Sequence, residues 1–163
     1  MTRIIGDTSS GLSVEQAKNL DIDYLPQFVF FDDIAYRDDF EIDSETYVKK
    51  LQASKVLPKT SAPPPDLYAS IFEKMRENNE GAVIICPSQH LSGTFRSAMT
   101  AKNDFPDLDI RIIDTGLVGP TVAVSLLKAK KMANDGKTID EIEDFVNLIM
   151  KNGKLFAVVD TLE

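Results

Sequence analysis

Residues 86–94, with the sequence CPSQHLSGT, place three side-chain hydroxyls and the only histidine of the chain at one junction. The apolar residues before the junction predict a strand, and the RSAMTA spacing after it predicts a helix. Ser92 stands where a helix N-cap belongs, and Gly93 allows backbone N–H groups to approach a ligand closely. Because the N–H groups at a helix start favour anions, this stretch predicts a cradle for a carboxylate or a phosphate.

Other interpretations of the same residues stay open. Ser92 could do no more than cap its own helix, since small hydroxylated residues are common at turns. Ser92 and His90, with Asp7 or Asp114 as the third member, could form the catalytic group of a serine hydrolase or an acyl-transfer enzyme, although the G-x-S-x-G elbow is absent. The helix start could also bind a phosphorylated metabolite. Cys86 and His90 predict no metal site, because no second pair of ligands completes one.

Strand and helix patterns alternate along the whole chain. Strands are predicted at RIIGD, YLPQFVFF, AVIIC, LDIRIID and KLFAVVD, and helices at LSVEQAKNL, SETYVKKLQAS, DLYASIFEKMREN, SGTFRSAMTAKND, TVAVSLLKAKKMAND and IDEIEDFVNLIMK. Capping boxes at Ser13 and Thr138 mark two of the helix starts. Continuous Val/Ile/Phe strands predict an α/β fold, a mainly parallel sheet with helices on both faces, which is a doubly wound three-layer sandwich.

Two segments are predicted to lie outside this framework. VLPKTSAPPPD is expected to be a loop, since its prolines exclude a helix interior and a central strand. The acidic stretch from residue 32 to residue 39 predicts a surface turn or hairpin. Its four aspartates are expected to form a solvated face, because the spacing of a calcium-binding loop is absent. They are Asp32, Asp33, Asp38 and Asp39.

Hydroxylated residues cluster in the loops that are predicted to meet at one edge of the sheet. In open parallel sheets, ligands bind beyond the carboxyl ends of the strands. The loops expected there are Asp7-Thr8-Ser9-Ser10, Lys59-Thr60-Ser61, Ser88 to Thr94 and Asp114-Thr115-Gly116. Neither the lysine of a P-loop nor the G-x-G-x-x-G pattern is present, so no cofactor is expected.

The bulk properties restrict the class of protein. A length of 163 residues predicts one domain, and a net charge of −8 argues against nucleic acid as a partner. The apolar runs are too short for stable membrane insertion, and the first residues lack the apolar region of a secretory signal. A single cysteine suits a reducing cytoplasm, so a cytoplasmic location is expected.

Four stretches in order, IIGDTSSGL, KTSAPPP, SQHLSGTFRSAMTA and IRIIDTG, resemble the N-terminal domain of the DegV family of bacterial fatty acid-binding proteins. The resemblance implies a non-catalytic module that binds a long-chain fatty acid. Thr60 and Ser92 match the positions that hydrogen-bond the carboxylate in that family. Five further residues lie in the same motifs, namely Ser61, Gly93, Thr94, Asp7 and Thr8.

The resemblance also implies a partner and a domain arrangement. Some DegV proteins present the acyl group to a separate ATP-dependent fatty acid kinase subunit, so such a subunit is an expected partner. The closing DTLE resembles the place where the family passes into its second domain. We therefore expect residues 1–163 to form one DegV-like N-terminal domain, with the second domain absent from this chain.

Overall fold

The computed structural model describes residues 2–156 and residue 158. The strands are β1 (Thr2–Asp7), β2 (Asp23–Leu25), β3 (Phe28–Phe31), β4 (Ile34–Arg37), β5 (Lys59–Ser61), β6 (Gly81–Cys86) and β7 (Ile110–Asp114). The α-helices are α1 (Val14–Asn19), α2 (Ser44–Ala53), α3 (Pro65–Asn78), α4 (Thr94–Lys102), α5 (Pro120–Asn134) and α6 (Ile139–Asn152). A short 3-10 helix, Thr8–Ser10, follows β1.

The main sheet is parallel and has the strand order β2-β1-β6-β7. The chain moves from β1 to β2 on one side and later returns to β6 on the other side of β1. The order therefore reverses between β1 and β6, which is where ligands bind in doubly wound sheets. The predicted α/β class and the mainly parallel sheet are confirmed.

The sheet is covered by helices on both faces because its strand residues alternate in direction. Ile4 of β1 packs in a core with α5 and α6, whereas its neighbour Ile5 packs in a second core with α3 and α4. Both isoleucines are fully buried. Helix α5 lies so close to β1 that a Cβ atom on Gly6 would be 2.6 Å from Leu126. The three layers that the sequence predicts are present.

A second, antiparallel sheet with the order β4-β3-β5 lies outside the predicted framework. The YLPQFVFF prediction was wrong as one strand, because Pro26 separates β2 in the main sheet from β3 in the small one. The loop prediction for residues 56–66 was also partly wrong. Residues 59–61 lie between the prolines and form β5, which pairs with β3. Because the prolines lie outside β5, each of its three residues keeps a backbone N–H that can pair with β3.

The helix starts follow their sequence signals closely. Ser13 and Thr138 both form complete capping boxes, and Asp43 caps α2 through the N–H of Thr46. The predicted hairpin is formed by β3 and β4, with Asp32 at a positive φ of 53° in its turn.

The last predicted strand, KLFAVVD, is not formed in residues 154–156, and most of its remainder lies outside the described residues. None of the helices in the described part of the chain is both long enough and apolar enough to cross a membrane.

Candidate functional site

Two loops that are far apart in sequence meet at the carboxyl edge of the main sheet. A Cβ atom on Gly93 would lie 3.5 Å from the Cβ of Ala62, which follows β5. The hydroxyl of Ser97 in α4 donates a hydrogen bond to the carbonyl oxygen of Pro63. The small antiparallel sheet therefore holds the TS-x-P motif against the start of α4.

A cavity of about 290 Å³ opens where these loops meet. Thr60 and Ser92 both contribute to its wall, as the sequence-based hypothesis requires. The volume is close to the lower limit of about 300 Å³ for small-molecule sites. The wall combines polar and apolar side chains, namely Ser9, Gln27, Val29, Asp38, Thr60, Pro87, Leu91, Ser92 and Val118.

A buried carboxylate lies behind the cavity wall. Asp7, at the end of β1, has no solvent exposure. Its Oδ1 accepts bonds from the backbone N–H and the hydroxyl of Ser9. Its Oδ2 accepts bonds from Gln27 Nε2 at 2.8 Å and from Thr94 Oγ1 at 2.7 Å. The carboxylate thus ties β1 to α4 and to the segment between β2 and β3.

The hydroxyl of Ser92 connects the cavity to this buried group. Ser92 Oγ lies 3.0 Å from Thr94 Oγ1, and either hydroxyl can donate that bond. Thr94 is only 2% exposed and also accepts a bond from Gln27 Nε2 at 3.0 Å. Ser92 is therefore the outermost member of a hydrogen-bonded chain that ends at Asp7.

A second carboxylate, Asp38, forms part of the cavity wall itself. Thr8 Oγ1 donates to it at 2.7 and 2.8 Å, and the hydroxyl oxygen of Thr8 accepts the N–H of Gln27 at 2.9 Å. The expectation that Asp38 lies on a solvated face was wrong. Its side chain turns inward because Thr8 and the Gln27 carbonyl bind this segment.

The electrostatics of the site are acidic. Burial raises the pKa of Asp7 above its ordinary value, although the bonds from Ser9, Thr94 and Gln27 oppose this effect. Burial also raises the pKa of Asp38, and the charge of Asp39 adds to that increase. No lysine, arginine or histidine lines the cavity in the described part of the chain. An anionic ligand here would depend on hydroxyl and amide donors.

The predicted site residues occupy three kinds of position. Thr60 and Ser92 line the cavity, and Asp7 and Thr94 are buried behind its wall. Thr8 is half-buried against Asp38. Gly93 is exposed at the N-cap of α4, and Ser61 is exposed on β5. Because side chains alternate along a strand, Ser61 faces away from the side that Thr60 presents.

The N-cap prediction for Ser92 was wrong by one residue. Gly93 is the N-cap of α4 and provides no side-chain bond. Ser92 Oγ accepts a 3.3 Å bond from the N–H of Thr94 and turns its hydroxyl toward the Thr94 side chain. Ser92 therefore takes part in the series of hydrogen bonds that leads through Thr94 to Asp7, instead of serving as the N-cap of α4.

The hydrolase interpretation lacks its base in this geometry. Among the described residues, the hydrogen-bond partner of the Ser92 hydroxyl is Thr94, not His90. His90 is exposed, and its backbone N–H donates a hydrogen bond to the hydroxyl oxygen of Ser88. A nucleophilic serine needs a base within hydrogen-bond reach, and no side chain in the described part of the chain provides one to Ser92.

Sequence reasoning missed several residues of the site, chiefly Gln27, Val29 and Asp38. Gln27 directly follows the end of β2, so the rule that ligands lie beyond the carboxyl ends of strands points to it. Val29 and Asp38 belong to the small antiparallel sheet and its continuation. No local pattern indicates that this sheet folds over the edge of the main sheet.

Of two further cavities, one lies next to the candidate site and the other lies far from it. One of about 310 Å³ shares Val29 and Asp38 with the first cavity and lies beside α2, where its wall is completed by Ile42, Asp43, Ser44, Tyr47 and Val48. The other, of about 530 Å³, lies at the opposite, amino edge of the sheet. Its three carboxylates each pair with an arginine, so they present no free charge to a ligand.

The described side chains do not group the ligands that a metal ion requires. Within residues 2–156 and 158, no three His, Cys, Asp or Glu side chains lie close enough together to hold a metal ion. The candidate site is therefore a set of hydroxyl, amide and carboxyl groups at the edge of an apolar wall.

Comparison with known proteins places this geometry in a family. A family model described as "Uncharacterised protein, DegV family" matches residues 1–163. The chain belongs to the DegV family. A DegV domain-containing protein of Streptococcus pneumoniae is 30% identical over 161 residues, which are 99% of this chain and 57% of that protein. The chain thus spans little more than half the length of such relatives.

Solved structures share the fold. A fatty acid-binding DegV family protein from Thermus thermophilus superposes with a TM-score of 0.84 at 24% identity, covering 92% of this chain and 53% of its own. A stearic acid-binding protein from Eubacterium ventriosum gives 0.79 at 27% identity, covering 90% and 52%. A Thermotoga maritima protein described as having a fatty acid binding function gives 0.79 at 26%, covering 93% and 55%.

Proposed function

We propose that this chain binds a long-chain fatty acid, with the carboxylate between Thr60 and Ser92. The observation that carries the proposal is that these two hydroxyls, from loops distant in sequence, line one cavity. The relatives from Eubacterium ventriosum and Thermotoga maritima, which are described as binding fatty acids, support the same ligand class.

Hydroxyl donors suit this head group. A hydrogen bond to a charged group contributes roughly 1.5–3 kcal/mol, so two of them orient a carboxylate without a lysine or an arginine. Gly93 adds a close backbone approach at the start of α4, where the helix dipole favours negative charge. Of the remaining motif residues, Asp7, Thr8 and Thr94 position this donor set through their hydrogen bonds, and exposed Ser61 faces away from it.

The acyl tail has an apolar route away from the head group. Val29 lines both the first cavity and the one beside α2, so the two cavities adjoin at this side chain. We place the tail past Val29 toward Ile42 and Tyr47. Because each buried CH₂ contributes about 0.8 kcal/mol, the tail dominates affinity and the hydroxyls fix its direction. A short phosphorylated metabolite would leave this apolar route empty.

The proposal extends to the whole protein. We propose a binding protein, not a catalyst, that works in the cytoplasm as the N-terminal half of a two-domain DegV protein. The carboxylate at exposed Thr60 is placed to meet a separate ATP-dependent kinase subunit. Acyl phosphate should then form from ATP and palmitate only when both proteins are present. Formation at the same rate without this chain would contradict the partnership.

Removal of the head-group hydroxyls should weaken binding. Ser92→Ala and Thr60→Val each delete one donor, so the Kd for palmitate should rise about tenfold to a hundredfold. Displacement of a fluorescent fatty acid measures the Kd, and native mass spectrometry of protein purified from bacteria counts acyl-sized adducts. Thr100→Val is the matched control, because this exposed threonine of α4 bonds only its own helix at Arg96. Unchanged Kd values for both site variants would contradict the proposed head-group position.

The tail position has its own test. Val48→Trp places a large ring in the cavity beside α2, so binding of palmitate should weaken at least tenfold while a short-chain acid is affected less. Val124→Trp is the control, since Val124 on α5 has the same exposure, 48% against 47%, and lines neither cavity. Equal effects of the two tryptophans would show that the tail lies elsewhere.

A further inference from the structure

The site presents an electrostatic difficulty that its hydrogen bonds can resolve. A carboxylate bound at Ser92 would lie near Asp38, which lines the same cavity, and near Asp7, which is buried behind it. No cationic side chain of the described residues lines that cavity. Like charges in a poorly solvated site repel strongly, so the proton content of these groups determines whether an anion can bind.

When Asp7 is ionised, the hydroxyl protons of Ser9 and Thr94 are both donated to its carboxylate oxygens. Both oxygens of Asp7 accept two bonds each, and Thr94 spends its only hydroxyl proton on Oδ2. The bond between Ser92 and Thr94 must then be donated by Ser92. A serine has one hydroxyl proton, so Ser92 presents only lone pairs to the cavity and repels a carboxylate.

A proton on Asp7 reverses the direction of the hydrogen bonds between Asp7, Thr94 and Ser92. Oδ2–H then donates to Thr94 Oγ1, and Thr94 donates to Ser92 Oγ over the same 2.7 and 3.0 Å contacts. Gln27 Nε2 remains a donor to both Asp7 and Thr94 in either state, because its two protons serve two acceptors. The Ser92 proton becomes free to point into the cavity, and one negative charge is removed.

We propose that Asp7 is a positioning residue that takes up a proton when an anionic head group binds and thereby turns the Ser92 hydroxyl into a donor. This inference rests on the proposed function, because it assigns a proton to the same site. Asp7 touches no ligand and acts through Thr94.

Titratable groups from four other segments of the described chain are packed around Asp7. Asp38 faces it from the segment after β4, and Tyr24, Tyr68 and Cys86 face it from β2, α3 and β6. None of these groups carries positive charge at neutral pH. Burial raises the pKa of Asp7, and the hydrogen bonds from Ser9, Thr94 and Gln27 oppose that increase.

The consequence is a defined pH dependence. Above the pKa of Asp7 in the free protein, each bound anion takes up one proton, and Kd rises about tenfold per pH unit. Below that pKa the proton is already present, so Kd becomes independent of pH. The fall in affinity continues until the pH reaches the higher pKa that Asp7 has in the complex.

The experiment uses an alkyl sulfonate, tetradecane-1-sulfonate, because its head group stays ionised and cannot itself supply the proton. Calorimetric titration of the 163-residue chain in two buffers of different ionisation enthalpy counts protons taken up. Wild type should take up close to one proton per sulfonate at pH values between the pKa of Asp7 in the free protein and its higher pKa in the complex. Asp7→Asn should take up none, and its Kd should not vary with pH, because an amide can donate to Thr94 without titrating.

A second variant and a control keep the test decisive if Asp7→Asn fails to fold. Thr94→Val breaks the chain between Asp7 and Ser92, so proton uptake should also disappear. Asp38→Asn removes the other acid at the cavity and leaves the chain intact, so uptake should persist. Loss of uptake in Asp38→Asn, or its persistence in either Asp7→Asn or Thr94→Val, would overturn the proposal.

Failure of this inference is distinguishable from failure of the proposed function. If palmitate binds at no pH, the function is wrong. If palmitate binds but the sulfonate binds without proton uptake, only the role of Asp7 is overturned. Palmitate binding without sulfonate binding at any pH where the protein stays folded would also overturn that role, because a protonated Asp7 should leave Ser92 able to donate to either anion.

Discussion

The buried carboxylate of Asp7 is the contact on which the arrangement of the candidate site depends. It terminates β1 and accepts hydrogen bonds from Ser9, Gln27 and Thr94, which belong to three different segments. A buried charged or polar group must be satisfied, and loss of one partner costs about 1–3 kcal/mol. Asp7 therefore fixes how the start of α4 and the segment before β3 meet the main sheet.

The small antiparallel sheet converts this junction into a cavity. Pairing of Val29 with Thr60 places the TS-x-P motif above the end of the main sheet, and Ala62 packs beside Gly93. The main sheet thus supplies a rigid base and the start of a helix, while the small sheet supplies the opposite wall. Hydroxyl groups lie at the sheet edge, and toward α2 the wall adds Ile42, Tyr47 and Val48 beside the polar Asp43 and Ser44. An amphipathic ligand requires such a combination of polar and apolar wall.

Local patterns predict much of this fold and only part of its site. Buried isoleucine and valine runs identify β1, β6 and β7, and capping residues such as Ser13 mark the helix starts, because those signals lie within a few residues of their effect. The pairing of β5 with β3, by contrast, depends on contacts between distant segments. The inward orientation of Asp38 depends on its hydrogen bond with Thr8, which follows β1. The acidic sequence around Asp38 therefore predicts a solvated face that this side chain does not join. The motif predicts Ser92 as a donor to an anion. The hydrogen bonds that connect Ser92 to Asp7 through Thr94 depend on contacts between distant segments and cannot be read from it.

The most direct test is a crystal structure of the protein with a bound long-chain fatty acid. The account predicts carboxylate oxygens within about 3 Å of both Thr60 Oγ1 and Ser92 Oγ, and an acyl tail that passes Val29. A fatty acid at the amino edge of the main sheet would contradict it. So would one whose carboxylate lies beyond hydrogen-bond distance of both hydroxyls.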